Sequence, residues 1–318
     1  MSIIIISCLS CLLFAPVIGM VATNYSIVSG NFTARWAQSP KPLLGGISMF
    51  IAILTAITFG GIPFADHPVL SCAALFTAIG IADDIFALTP GKKILLQILA
   101  AIVSAKFFLL LPFSPWFVLV VFWIVVFVNA FNLIDGMDGL AVSYAILIFT
   151  WIALLGNPHI FSYAILGVCL GFLPYNFRNA SLYLGDSGSQ FLGSAIAVLV
   201  LPSQLSTVGI SSWHPSDVLP LLFPIGDIIF VAITRKIRGI SIKTGGTDHT
   251  AHRLARLIGE KNTVILISGV TIFFIFISLL CQFSDWHGQY VGISIIIGYV
   301  LSIIFLQRKT KKYFLPQT

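Results

Sequence analysis

Eleven apolar runs joined by short polar stretches dictate what this chain can become. They lie at about 3–22, 43–61, 69–81, 94–111, 116–128, 140–155, 160–174, 190–201, 218–234, 264–282 and 289–306. Each is long enough, or nearly so, to cross a hydrocarbon core of about 30 Å as a helix. Only 9% of the 318 residues are charged and 58% are hydrophobic, and the mean hydropathy is +1.03. Soluble domains carry about 25% charged residues. The expectation is an all-α, polytopic integral membrane protein of about eleven spans, with residues 1–318 forming a single transmembrane domain.

Charge placement orients these spans. No lysine or arginine precedes the first run, so it reads as an uncleaved helix with its N-terminus outside; a secretory signal has a basic leader. All of the 17 lysines and arginines except Lys106 fall on one side of the alternating map, from Arg35 and Lys41 to the basic run at 308–312. That side is cytoplasmic by the positive-inside rule and holds the C-terminus. Opposite loops carry Asp66, Asp217 and Asp285 with Trp116, Trp213 and Trp286. The net charge of +6 is therefore an orientation signal plus attraction to anionic head groups. It is no case for nucleic acid, because no soluble basic domain or aromatic binding platform exists. Cys8 and Cys11 form C-x-x-C inside the first run, and Cys72, Cys169 and Cys281 stand alone in others. They read as packing residues, not as a metal or disulfide framework.

Against this background, polar residues collect in five stretches on the basic side. In Asn129-Ala-Phe-Asn132-Leu-Ile-Asp135-Gly-Met-Asp138-Gly-Leu140, three polar residues recur every third position. A helical turn would stack Asn132, Asp135 and Asp138 on one face, and oxygen-rich faces suit Mg²⁺ and the groups that travel with it. Ionisable groups at the end of a membrane segment are costly and mark function. Asp83-Asp84 closes another run, where the helix dipole disfavours negative charge, so a divalent cation or Lys92 and Lys93 must relieve it. The loop Gly185-Asp186-Ser187-Gly188-Ser189 enters a helix; it can offer backbone N–H groups to phosphate with Asp186 on a metal, or simply cap the helix. Ser39-Pro-Lys41-Pro-Leu-Leu-Gly45-Gly46 is a turn that lets backbone approach something closely. The last stretch is a long cytoplasmic loop at 235–262. Helical from about Asp248, it places His249, His252 and Arg256 on one face and Leu254, Leu257 and Ile258 on another, an interfacial helix at head-group level. The histidine pair has no third ligand nearby, so phosphate contact is the better reading than Zn²⁺. Together these stretches describe an enzyme of the membrane surface.

Taken in order, they resemble the polyprenyl-phosphate N-acetylaminosugar-1-phosphate transferases of glycosyltransferase family 4, over about Pro40 to Leu254. Asp83-Asp84 is similar to the family's paired aspartates, and Lys93 with Gln97 to the lysine and glutamine that follow. Asn132-Leu-Ile-Asp135-Gly-Met-Asp138-Gly-Leu-Ala141 is a near-complete match to N-x-x-D-G-x-D-G-L-A. Asn176 precedes Asp186 of the G-D-x-G-S motif at the family's spacing, and Asp227 in Pro224-Ile-Gly-Asp227 also matches. The terminal histidine cluster departs from the pattern: Ala251 stands where H-x-H-H has its middle histidine. The form Asp248-His249-Thr-Ala-His252-Arg253-Leu254 is closer to the undecaprenyl-phosphate N-acetylglucosamine-1-phosphate transferase-like branch.

The resemblance implies a single transmembrane catalytic domain that joins a UDP-N-acetylaminosugar to polyprenyl phosphate and releases UMP, with Mg²⁺ or Mn²⁺. Asp186 is then the leading metal ligand, and Asp83 and Asp84 are catalytic carboxylates. Asn132, Asp135, Asp138 and Asn176 would shape the nucleotide-sugar pocket. Lys93, His249, His252 and Arg253 would handle phosphate charge. The site would lie at the cytoplasmic face of a bacterial inner membrane, and a homodimer is compatible with it. The rival is a multi-helix transporter, for which Asp227 within a helix would serve an ion pathway. Polar residues crowding one surface instead of the midplane favour the enzyme.

Overall fold

A computed structural model describes residues 2–30, 40–60, 68–155, 160–201, 215–239, 246, 248–282 and 293–302. Arg35, Lys243 and the basic run at 308–312 lie outside these residues, as do Asp66, Asp285, Trp213 and Trp286. Among the described residues the regular structure is helical. The helices are α1 (Ser2–Asn24), α2 (Gly45–Phe59), α3 (Pro68–Phe86), α4 (Pro90–Val103), α5 (Pro115–Ile134), α6 (Leu140–Leu154), α7 (Ile160–Asn176) and α8 (Gly185–Leu199). After them come α9 (Leu222–Ile237), α10 (Thr250–Ile258), α11 (Glu260–Gln282) and α12 (Ile293–Ser302). Every apolar run of the sequence contains one. Ser2–Asn24, Pro68–Phe86, Pro115–Ile134, Asp217–Ile237 and Glu260–Cys281 are long and apolar enough to cross a membrane. Gly45–Phe59, Leu140–Leu154, Ile160–Asn176 and Ile293–Ser302 are apolar but shorter.

Local chemistry explains why these runs are helices with defined ends. Pro90 and Pro115 sit in first turns, where their missing N–H is no loss, and the Ser114 hydroxyl accepts the Phe117 N–H at 3.3 Å. Hydroxyls inside the helices turn back on their own backbone: Ser7 to the Ile3 carbonyl, Thr77 to Ala73 and Thr271 to Ile267, at 2.7–2.8 Å. Each thereby satisfies itself without water, which the hydrocarbon interior lacks.

The chain divides into two compact units, Met1–Ser212 and Trp213–Thr318. In the first, α8 is the central helix, buried along nearly its whole length and packed by α2, α3, α5 and α6. Its first turns are Gly, Asp and Ser, small enough for neighbouring backbones to touch. Gly46 on α2 and Gly80 on α3 complete that approach. A Cβ on Gly46 would stand 2.2 Å from the Gly188 nitrogen, and one on Gly80 would stand 2.3 Å from the Asp186 carbonyl oxygen. The Pro-x-Pro segment before α2 serves the same junction. Tyr183 N–H donates to the Pro42 carbonyl at 2.9 Å, and Gly45 and Gly46 N–H donate to the Tyr183 and Leu184 carbonyls at 3.1 and 3.0 Å. In the second unit, Leu219, Leu222 and Phe274 form an apolar core with Tyr299 packed against it.

Candidate active site

Four helices of the first unit bring their polar residues to one place. Asp83 and Asp84 stand in the last turn of α3, and the chain turns back after it. Leu88 N–H donates to Asp83 Oδ1 at 2.8 Å, fixing that turn. The first turn of α4 then points Lys93 inward, where its Nζ lies 2.7 Å from Asp83 Oδ2 and 2.6 Å from Asp186 Oδ1. Asp83 and Asp186, 103 positions apart, therefore meet through one ammonium. Burial pulls the Lys93 pKa down, but Asp186 and Asp83 outweigh it and hold the group above its ordinary 10.5. The lysine is a fixed cation at neutral pH.

Asp84 does something the sequence did not announce. Its Oδ1 accepts the Asp186 N–H at 2.8 Å and its Oδ2 accepts the Ser187 N–H at 3.0 Å. A carboxylate from α3 thus caps the positive end of α8, satisfying amides that would otherwise lack partners. The reading in which those amides cradle phosphate is corrected: Asp84 already occupies them. Of the two readings of the Asp83-Asp84 pair, the basic neighbour is present as Lys93 on Asp83, while a helix terminus that neither reading named takes Asp84.

Asn132 joins the cluster from α5, its Oδ1 accepting the Ser189 hydroxyl at 2.6 Å. The stacked face expected for Asn132, Asp135 and Asp138 does not form. Helix α5 stops at Ile134, Asp135 is its terminal cap, and Gly139 at φ 74° starts the next helix. Asp138 instead accepts the Ala180 N–H at 2.8 Å. Asn176 accepts the Gly139 N–H and donates to the Leu182 carbonyl, both at 3.2 Å. These two residues fasten the 135–139 turn to the 177–184 loop that leads into Asp186. Asp135 is buried in the same turn.

Two carboxylates thus face one ammonium. Asp83 and Asp186 offer hard oxygen donors to a cation, and Asp186 is the more open, its side chain 29% exposed against 9% for Asp83. No group of three or more His, Cys, Asp or Glu in metal-holding geometry occurs among the described residues. Mg²⁺ does not need one, since it keeps several waters and takes one or two carboxylates plus substrate phosphates. The donor set fits such an ion.

The second unit holds its own polar cluster. Asp227, buried in α9, lies 2.7 Å from His249 Nδ1 through Oδ2 and accepts the Thr250 N–H at 2.6 Å through Oδ1. Arg235 clasps Asp248 with Nε at 2.9 Å and an Nη at 2.5 Å. Burial raises the Asp248 pKa, yet Arg235 outweighs it and keeps the carboxyl below its ordinary 3.8. Arg253 donates from Nε to the Asp248 carbonyl at 2.7 Å and lies over the Phe230 ring. Burial and the nearby Arg238 lower its pKa to about 10, so it remains a cation. His249, His252 and Arg253 are buried, while Arg256, Leu257 and Ile258 are exposed. Asp227, noted only as a motif match and a transporter clue, is the partner that orients His249; no local spacing foretold that pairing.

An all-helical protein with membrane-length helices and a carboxylate–ammonium centre at the joined ends of four of them defines a class: a membrane-embedded protein built to handle charge. Residues 67–204 match the family model described as glycosyl transferase family 4. A probable undecaprenyl-phosphate N-acetylglucosaminyl 1-phosphate transferase of Bacillus subtilis is 29% identical, over 95% of this chain and 89% of the relative. A decaprenyl-phosphate N-acetylglucosaminephosphotransferase of Mycobacterium tuberculosis is 28% identical, over 87% and 82%. An undecaprenyl-phosphate alpha-N-acetylglucosaminyl 1-phosphate transferase of Thermotoga maritima is 26% identical, over 76% and 77%. The chain is thus similar to glycosyl transferase family 4 over residues 67–204.

Proposed function

We propose that the protein transfers an N-acetylaminosugar 1-phosphate, in the first instance N-acetylglucosamine 1-phosphate, from its UDP derivative to polyprenyl phosphate. The observation that carries this reading is Lys93 bridging Asp83 and Asp186 where apolar helices end. The acceptor keeps its tail in the bilayer and its phosphate at the boundary, and the nucleotide sugar arrives from water. Only a site at such a boundary meets both.

The acceptor phosphate has a second pKa near about 6, so much of it is a dianion at neutral pH and needs no base to attack. Its oxygen forms a bond to the β-phosphorus of the donor while the bond from that phosphorus to the UMP oxygen breaks. UMP leaves with the electron pair. The barrier is dominated by bringing anions together, so fixed cations supply most of the stabilisation. Lys93 provides one such charge. Asp186, with Asp83 beside it, would hold a divalent ion, Mg²⁺ or Mn²⁺, which when bound neutralises the diphosphate. Asp84 keeps the Asp186 backbone in place, and Asn132, Asp135, Asp138 and Asn176 form the wall of the sugar-nucleotide pocket. His249, His252 and Arg253 contribute phosphate contacts.

The finer topology follows the charge map: about eleven crossings, N-terminus outside, C-terminus cytoplasmic, and the site on the cytoplasmic side of a bacterial inner membrane. The product would be the first lipid-linked intermediate of a cell-envelope polysaccharide. The test is to incubate membranes with polyprenyl phosphate and a panel of UDP-sugars. A lipid heavier by one sugar phosphate, formed from UDP-N-acetylglucosamine with UMP released, supports the reading. No lipid product from any UDP-sugar overturns it, and the transporter reading then gains.

A further inference from the structure

The helices that carry the charged centre hold a second polar set one turn further in. Gln97 follows Lys93 by four residues on α4, and Gln190 follows Asp186 by four on α8. Asn129 precedes Asn132 by three on α5. Such spacings keep each amide on its neighbour's face, about 5.4 Å along the helix. The amides are bonded to one another. Asn129 Nδ2 donates to Gln97 Oε1 at 2.7 Å, and Gln97 Nε2 donates to Gln190 Oε1 at 3.1 Å. Gln97 and Gln190 are fully buried. The chain of bonds ends on Gln190 Nε2, which has no hydrogen-bond partner among the described residues.

Packing alone does not call for this arrangement. Helix α4 turns Ile94, Leu95, Ile98 and Leu99 outward and buries Gln97, Ala100 and Ala101. A leucine at 97 or 190 would fill space without the cost of taking an amide out of water. What the amides add is direction, because a hydrogen bond fixes rotation about a helix axis in a way apolar contact does not. One residue of slip in α4 turns its side chains by about 100°, enough to carry Lys93 away from both carboxylates.

We propose that Gln97, Asn129 and Gln190 form a positioning layer that sets the rotation and height of α4 against α5 and α8, and so holds the Lys93 ammonium between Asp83 and Asp186. The layer acts through Lys93 and Asp186 and touches no reacting atom. This inference builds on the transfer reaction above.

The test uses the full chain in detergent with Gln97→Met, Gln190→Met and the double variant, beside wild type and Asp186→Ala. Methionine keeps the length and helix preference of glutamine and is free to be buried. Turnover is expressed per folded molecule, from the monodisperse fraction and thermal midpoint. The expected result is a kcat about 10- to 100-fold lower in each single variant, the range for groups that orient a site's ligands. KM for the UDP-sugar stays unchanged, and the double variant is no worse than the weaker single one, since both cut the same chain of bonds. A kcat per folded molecule equal to wild type, or losses that multiply, overturns the layer. If Gln97→Met does not fold, Gln190→Met decides alone. Wild type that makes no lipid product overturns the transfer reading and the layer with it; active wild type with equally active variants overturns the layer alone.

Discussion

At the scale of single residues, the centre is an ion triplet with a fixed polarity: Lys93 between Asp83 and Asp186. Asp186 is the more exposed carboxylate and the one proposed to hold a cation. Asp186→Ala is expected to abolish turnover, a fall of at least about 10²–10³ in kcat, and a chelator should do the same reversibly. Both are read as UMP release; activity that persists in either case removes the metal role. In the second unit, Asp248 owes its depressed pKa to Arg235. Since the folded value lies below the ordinary 3.8, the pair stabilises the protein above that pH and ceases to as the pH falls through the folded pKa. The thermal midpoints of wild type and Asp248→Asn should therefore differ at pH 7 and converge in acid. Equal midpoints at pH 7 would show that the pair adds nothing. Of these residues, sequence motifs drew attention to Asp83, Lys93 and Asp186 in two separate stretches, and the structure joins them by two ion pairs. They could not disclose that Asp84 caps α8, because the amides it binds belong to Asp186 and Ser187, more than a hundred positions away.

At the scale of elements, the site depends on how closely α3 and α8 approach. Gly80 leaves no room for a methyl group against the Asp186 backbone. Gly80→Ala is expected to push these helices apart and destabilise the protein by about 1–3 kcal/mol, the range for overpacking. It should also lower kcat, since Asp84 and Asp186 would separate; an unchanged thermal midpoint and kcat would refute the close approach. Helices were the most legible part of the sequence, because each run stays apolar over many consecutive residues, even where Pro16 or Pro220 interrupts it. Their ends were less so. Asn132, Asp135 and Asp138 have helical spacing, but Gly136 and Gly139 allow a turn, and the turn wins because Asp138 and Asn176 bind backbone across it. The stretch at 235–262 carries the pattern of an interfacial helix at head-group level. That pattern does not disclose the partners that His249, Arg235 and Arg253 find in Asp227 and Asp248.

At the scale of the whole molecule, the two readings to be joined are orientation and chemistry. Placing nearly all lysines and arginines on one side predicts that a cytoplasm-active reporter fused after Thr318 works and that one fused before Met1 does not. The opposite pattern would put the carboxylate–ammonium centre on the wrong side for a nucleotide sugar. The chemistry is tested most directly by following the donor's β-phosphate. Purified protein is given polyprenyl phosphate and UDP-N-acetylglucosamine labelled at that phosphorus. Attack on the β-phosphorus predicts label in the lipid product and unlabelled UMP in solution, with none of this in Asp186→Ala. Label that stays in released UDP, or never leaves the donor, would contradict it.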